Sequence, residues 1–314
     1  MNPRNQFCHD IPSQFRGCSR ASGGTLHMSR QKTFLLGLGA QKTGTTWLHR
    51  YLDEAPNADF GRMKEYHVLD ARFIPACRNF RVGRVNAWEQ VRNIFSRGSR
   101  PLLRYRLQQN LDAYADYFSR ILDKPRIQLT GDLTPSYSGL GADALIEVKD
   151  LFNRRDINVK AVFIMRDPVE RCWSSVRMAR RRAEKSAPGS ADPDWQVLEK
   201  SYANPQLELR TRYDKTIDAI ETAFNPSEYR LFLFEELFRK DTMIELENFL
   251  GMDLGKPDFD RQVNVTKRQG QQIPDDLQRA VAQYYRPAYE AAFRVFGKDR
   301  VTGLWKTSRF LGNG

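Results

Sequence analysis

Cysteine and histidine are scarce in this 314-residue chain, with four of each. Cys8, Cys18, Cys77 and Cys172 form no C-x-x-C pair, which excludes a zinc-finger spacing and a disulfide framework. His9, His27, His49 and His67 form no H-E-x-x-H or H-x-x-H pattern, so no resident metal is expected. No apolar run approaches the roughly 18–20 residues of a membrane span, and the first thirty residues lack the apolar core of a signal peptide. These absences point to a reducing, cytoplasmic setting. Acids are also in deficit: 38 against 50 Lys and Arg, for a net charge of +12. Such a surface favours anionic partners such as nucleotides, phosphorylated or sulfated molecules, nucleic acid or acidic headgroups. Hydrophobic residues at 40% and charged residues at 28% are globular values, which excludes wholesale disorder and collagen-like repeats.

What is present falls into two parts. Residues 1–30 carry four arginines, one acid (Asp10) and no periodicity, and read as a flexible tail. Met28 stands just before the first apolar run, so translation starting there would make the tail a start-site artefact. Residues 31–314 read as one domain. Strands are expected at 33–39, 126–130, 158–165 and 229–234. Helices are expected at 45–54, 87–96, 105–122, 142–152, 168–184, 205–224, 235–250 and 275–296. Strands separated by helices imply an α/β fold with a central parallel sheet flanked by helices.

Three segments carry chemistry. In Gly37-Leu-Gly-Ala-Gln-Lys42-Thr43-Gly44-Thr45-Thr46-Trp47, a strand, a glycine turn and a helix start follow one another. That geometry turns backbone N–H groups toward a phosphate-like anion, with Lys42 as a point charge and three threonine hydroxyls as further donors. It is not a Walker A sequence, because Lys42 precedes Gly44. In Lys64-Glu65-Tyr66-His67-Val68-Leu69-Asp70, three titratable groups can supply a general base and the groups that hold it. A solvated turn explains the same residues. In Arg166-Asp167-Pro168, Arg166 stands at the carboxyl end of a buried strand, where open α/β sheets bind ligands. Pro168 suits the first turn of a helix that carries Ser174 two turns on.

In this order the segments resemble the sulfotransferases that use 3′-phosphoadenosine 5′-phosphosulfate (PAPS). Lys42-Thr-Gly-Thr-Thr-Trp47 resembles their 5′-phosphosulfate loop, and Arg166 with Ser174 resembles their 3′-phosphate pair. Glu65-x-His67-x-x-Asp70 and Thr134-Pro-Ser-Tyr137 resemble the glycosaminoglycan (heparan sulfate) branch. Thr266-Lys267-Arg268-Gln269-Gly270 resembles its C-terminal basic loop. The missing membrane span and disulfide are more like the soluble bacterial-type members. The resemblance implies a P-loop-NTPase-like three-layer sandwich and sulfuryl transfer from PAPS, without a metal, to a hydroxyl or amine. The acceptor would be a small molecule, glycan or lipid headgroup, and peripheral membrane contact is open. Lys42 would stabilise the leaving group. Thr43, Gly44, Thr45 and Thr46 would cradle the phosphosulfate. Arg166, Ser174, Lys267, Arg268 and Gly270 would bind the nucleotide. Trp47 would stack on adenine or simply pack in the core. Glu65 would be the base, with His67 as second choice, and His67 and Asp70 would orient it or contact the acceptor.

Two other classes compete. A P-loop kinase or NTPase would use Lys42 at the phosphates and Asp167 as a metal-holding acid. A basic nucleic-acid-binding module would use the charge alone, though no recognition motif supports it. Basic stretches at 90–111 and 177–185 fall within the segments expected to cover an acceptor, 71–125 and 177–225. Either is a solvated helix face or a surface for an anion.

Overall fold

The computed structural model describes residues 31–83, 99–186, 192–260 and 272–312. Its sheet has four parallel strands, β1 (Thr33–Gly37), β2 (Leu129–Leu133), β3 (Asn158–Met165) and β4 (Tyr229–Leu233), in the order β2-β1-β3-β4. Thr33 stands beside Leu129 on one side and Asn158 on the other, and Ala161 beside Tyr229. All five residues of β1 are buried, as expected of a central strand covered on both faces.

The helices, in chain order, are α1 (Thr45–Asp53), α2 (Leu69–Phe73), α3 (Arg100–Gln109), α4 (Leu111–Leu122), α5 (Ala142–Asn153), α6 (Pro168–Ser186), α7 (Asp194–Ser201), α8 (Pro205–Glu208), α9 (Tyr213–Ala223), α10 (Lys240–Leu250), α11 (Asp275–Tyr284), α12 (Arg286–Phe296) and α13 (Lys298–Leu304). They make two apolar layers. One packs Leu35, Val162 and Ile164 against α1 and α10. The other, larger layer packs Phe34, Ala161 and Phe163 against α4, α5, α6, α9 and α12. Phe34 stacks on Phe152 at 3.9 Å between ring centres and meets Phe118 edge-on at 4.9 Å. The three-layer α/β expectation holds.

Several boundaries differ from the sequence reading, each for a local reason. The second strand lies at Leu129–Leu133 rather than 126–130. Gly131 sits inside this strand where β1 approaches closely; a Cβ there would lie 2.2 Å from the Leu35 carbonyl. The helix expected at 105–122 is two helices, broken where the Asn110 side chain accepts the Asp112 N–H (2.8 Å). The helix expected at 205–224 is α8 and α9, and that at 235–250 begins only at Lys240 after a 3₁₀ turn. The segment 275–296 breaks at Tyr285, two residues before Pro287. The expected helix at 87–96 lies outside the described residues, as does the 1–30 tail. No helix among the described residues is long and apolar enough to cross a membrane.

β1 leads outward to β2 on one side, and the chain then crosses to β3 on the other. The crevice at the carboxyl ends of β1 and β3 is therefore the switch point of the sheet, where such folds bind ligands.

Candidate active site

The loop after β1 is first fixed to β3. Leu38 and Ala40 N–H groups donate to the Val162 and Ile164 carbonyls (2.9 Å each), and Ile164 N–H donates to Gly39 (2.8 Å). The loop then turns sharply through two left-handed residues, Lys42 (φ 73°) and Gly44 (φ 82°). Gly44 must be glycine: a Cβ would lie 2.7 Å from the Leu237 side chain. Thr43 is buried and donates its hydroxyl to the Ala40 carbonyl (2.7 Å). Among the described residues, the N–H groups from Gln41 to Thr46 have no acceptor. They form a nest at the start of α1, where the helix dipole also favours negative charge.

Lys42 closes this nest. Its ammonium lies 3.9 Å from Met178 Sδ on α6. Burial, then the charges of Arg181, Arg166, Arg182 and Lys64, push its pKa from 10.5 down to about 8. Arg166 donates to the Lys42 carbonyl (3.3 Å), lies over the Phe234 ring (4.6 Å) and pairs with Glu170 (3.2 Å). Ser175 donates to Gln41 Oε1 (3.1 Å), tying α6 to the loop. Ser174, beside it, is half-buried on the second turn of α6.

The second cluster is seated by β2. Buried Asp132 accepts from Thr134 Oγ (2.6 Å), Tyr137 (2.6 Å) and Tyr114 (3.0 Å), while burial raises its pKa to about 6. Tyr137 in turn accepts the Val68 and Leu69 N–H groups (3.2 and 3.3 Å), and Thr134 accepts that of Tyr66 (3.1 Å). Residues 65–70 are thus pinned to the strand end, with His67 in a left-handed conformation (φ 54°). His67 stacks on Phe80 at 4.0 Å. Its Nδ1 lies 2.7 Å from Asp70 Oδ2 and its Nε2 lies 3.5 Å from Glu65 Oε2. Ser136 donates to Asp70, and Lys64 pairs with Glu65 Oε1 (2.5 Å).

These contacts set the charges. Burial alone would lower the His67 pKa, but the Asp70 and Glu65 carboxylates overcome it and raise it from 6.5 to about 9. Burial alone would raise the Glu65 pKa, but His67 and Lys64 overcome it and lower it from 4.5 to about 2. At neutral pH His67 is an imidazolium beside the ionised Glu65 carboxylate, with Asp70 at its other ring nitrogen. Lys64 joins the two halves: it pairs with Glu65, and its charge acts on Lys42.

The structure therefore brings Lys42, Thr43, Gly44, Thr45, Thr46 and Arg166 to one nest, and Glu65, His67 and Asp70 to one cluster beside it. Of the two roles open to Trp47, it shows core packing. The ring is 5% exposed, stacks on Tyr51 and Phe259, and donates to the Asp258 carbonyl (3.0 Å). Lys267, Arg268 and Gly270 lie outside the described residues. Asp167 does not face the nest. It accepts from the N–H of Val169 (3.0 Å), from both the N–H and hydroxyl of Thr307 (3.2 and 2.5 Å) and from Tyr289 (3.1 Å), which leaves it a structural anchor under α6. Sequence reasoning missed Arg104, which donates to the Glu65 carbonyl (2.8 Å), and the seat made by Asp132. Arg104 was visible only as one cation in a basic stretch. Among the described residues, no group of three or more His, Cys, Asp or Glu is placed to hold a metal ion.

No family model matches this chain, and no curated protein matches it. Solved structures do. The sulfotransferase from Alicyclobacillus acidocaldarius aligns over 88% of this chain and 99% of its own, with a TM-score of 0.57 at 18% identity. A sulfotransferase domain from the Synechococcus PCC 7002 olefin synthase aligns over 82% and 89%, at 15% identity and a TM-score of 0.45. One from the curacin biosynthetic pathway covers 74% and 77%, at 16% and 0.43. This chain has the fold of the first of these, a central parallel sheet between helical layers.

Proposed function

We propose that this protein is a cytoplasmic sulfotransferase that moves a sulfuryl group from PAPS to a hydroxyl or amine. One observation carries the reading. A nest of N–H groups without an acceptor, closed by a lysine whose pKa burial and then four neighbouring cations lower, stands next to an ionised carboxylate. Such a nest suits a polyanion, and an ionised carboxylate beside it is placed to accept a proton from whatever attacks that polyanion. The fold shared with a sulfotransferase, and the Glu65-x-His67-x-x-Asp70 spacing of the glycosaminoglycan branch, support it.

The nucleotide supplies the sulfuryl group and departs as adenosine 3′,5′-bisphosphate. The protein supplies position and positive potential. The N–H groups of Thr43 to Thr46 hold the phosphosulfate, and Lys42 meets the charge on the bridging oxygen. Arg166 and Ser174 bind the 3′-phosphate, joined by Lys267, Arg268 and Gly270. Glu65 takes the acceptor proton as the new S–O bond (S–N for an amine) forms and the bridging S–O bond to the nucleotide phosphate breaks. His67, already protonated, holds Glu65 in place and is not itself the base. Paired with His67 and Lys64, Glu65 is a weak base in the free protein. The phosphoryl-transfer alternative loses its metal-holding acid, because Asp167 is committed to Thr307 and Tyr289.

Melting curves test the donor. Adenosine 3′,5′-bisphosphate should raise the melting temperature without magnesium, and AMP far less. A ligand at 100 times its dissociation constant stabilises by about 2.7 kcal/mol. Equal shifts from both nucleotides would remove the 3′-phosphate assignment, and a shift only with ATP and magnesium would favour a kinase.

A further inference from the structure

Two side chains one turn apart on α3 reach the backbone of the Glu65 cluster. Arg104 donates through Nη2 to the Glu65 carbonyl (2.8 Å), and Gln108 donates through Nε2 to the His67 carbonyl (2.6 Å). Residues four apart share a helix face, so one face of α3 holds both carbonyls. Gln108 does more than close one bond. The same Nε2 donates to the Phe80 carbonyl (3.0 Å), and Oε1 accepts the Val82 N–H (2.9 Å). Both kinds of amide atom are engaged, and the flipped amide would set its oxygen against two carbonyl oxygens. Three pieces of chain meet at this one side chain: α3, the loop at His67, and the segment that ends the 3₁₀ turn Pro75–Phe80.

What these bonds fix is His67. Its backbone is left-handed (φ 54°), a conformation that a residue with a Cβ holds only where its surroundings impose it. Its ring lies flat on Phe80, with 4.0 Å between ring centres and 13° between planes. Gln108 therefore grips the carbonyls of both members of that stack. Asp70 and Glu65 meet the ring only at its two nitrogens, at 2.7 and 3.5 Å. A tilt of the ring moves the contact that orients the Glu65 carboxylate.

We infer that Gln108 is a positioning residue for the reaction: it ties the His67 and Phe80 carbonyls together, keeps the imidazole flat on Phe80, and through the imidazole aims Glu65 at the acceptor. The inference rests on the reading of Glu65 as the base. Arg81 donates through Nε to the Ala71 carbonyl (2.9 Å), a tie that stays when Gln108 is replaced, so a Gln108 variant loses aim rather than fold.

The test labels histidine Cε1 with carbon-13 in the full chain, which holds four histidines, and His67→Gln assigns the His67 signal. The ring current of Phe80 should hold that signal upfield of its place in Phe80→Leu. Gln108→Leu removes every bond of the amide. Gln108→Glu keeps size and the acceptor for Val82 but removes the donor to both carbonyls. Both should move the signal to its place in Phe80→Leu. Both should also slow the release of adenosine 3′,5′-bisphosphate from PAPS, with a metabolite extract supplying acceptors, by roughly 10–100-fold, the range for a misplacement of about 1 Å. Calorimetric affinity for adenosine 3′,5′-bisphosphate should hold, which also shows that the variants are folded. An unmoved signal or an unchanged rate in Gln108→Glu overturns the inference, since the grip on the carbonyls is what it claims. Nucleotide affinity lost together with rate in both variants overturns it as well, because the damage is then general. No release by the wild type overturns sulfuryl transfer instead, and the His67 signal alone then decides whether Gln108 positions the ring.

Discussion

Lys42 gives the sharpest quantitative expectation, because its charge is poised. In the free protein its pKa stands at about 8 instead of 10.5, held there by burial and by Arg181, Arg166, Arg182 and Lys64. A bound polyanion opposes those cations and raises the pKa again. Binding therefore takes up a proton above pH 8, and affinity must fall as the pH rises. With a free pKa of about 8 and a bound pKa well above 9, affinity for adenosine 3′,5′-bisphosphate drops about tenfold between pH 7 and pH 9, or about 1.4 kcal/mol. The ligand does not confuse the reading, since a phosphate monoester has its second pKa near 6 and stays ionised across this range. Isothermal titration calorimetry at pH 7, 8 and 9 measures it, and Lys42→Met should abolish the slope. His67, at about 9, also titrates nearby, so His67→Gln serves as a second control. An affinity that is flat in the wild type, or that falls equally in Lys42→Met, would refute the reasoning.

Glu65→Gln keeps shape but removes the proton acceptor, so turnover should fall roughly 100-fold or more in steady-state assays while nucleotide affinity holds. Arg166→Ala should do the reverse and weaken nucleotide binding by roughly 10–150-fold in calorimetry, the range for a lost charged hydrogen bond. His67 should make stability pH-dependent. Its pKa is raised on folding, from 6.5 to about 9, so its contribution is complete below pH 6.5 and lost as the pH rises through 9. The full loss is about 3 kcal/mol. Lys42, lowered on folding, acts oppositely between pH 8 and 10.5. The difference in denaturant midpoint between wild type and His67→Gln isolates the His67 part, and a difference that does not shrink with pH would contradict it. Tyr137→Phe removes the hydroxyl that links Asp132 to the Val68 and Leu69 N–H groups. It should cost about 1–3 kcal/mol in urea melts and lower turnover with unchanged nucleotide affinity.

The sequence carried the strands and the nest well. β3 occupies Asn158–Met165 as expected, because a run that is apolar from Ala161 to Met165 and rich in β-branched and aromatic residues leaves little choice. The loop after β1 was legible because glycines, a lysine and threonines at a strand–helix turn have few other uses. Tertiary contacts were not legible. The second strand extends past 130 through Gly131, where the neighbouring strand fills the space a side chain would need. Glu65, His67 and Asp70 looked like any solvated turn, because the buried Asp132 and Tyr137 that seat them lie more than sixty residues away. Trp47 admits two roles in the sequence, and its packing against Tyr51 and Phe259 is a tertiary contact that the sequence does not show.

The central claim is sulfuryl transfer with Glu65 as base, and mass spectrometry of a metabolite extract tests it directly. The extract is incubated with PAPS and either wild-type protein or Glu65→Gln. The account predicts at least one metabolite that gains the mass of SO3 with the wild type and not with the variant. The same gain with both proteins would remove Glu65 as the base. No gain with PAPS, alongside phosphate addition when ATP and magnesium replace it, would contradict the assignment of the reaction.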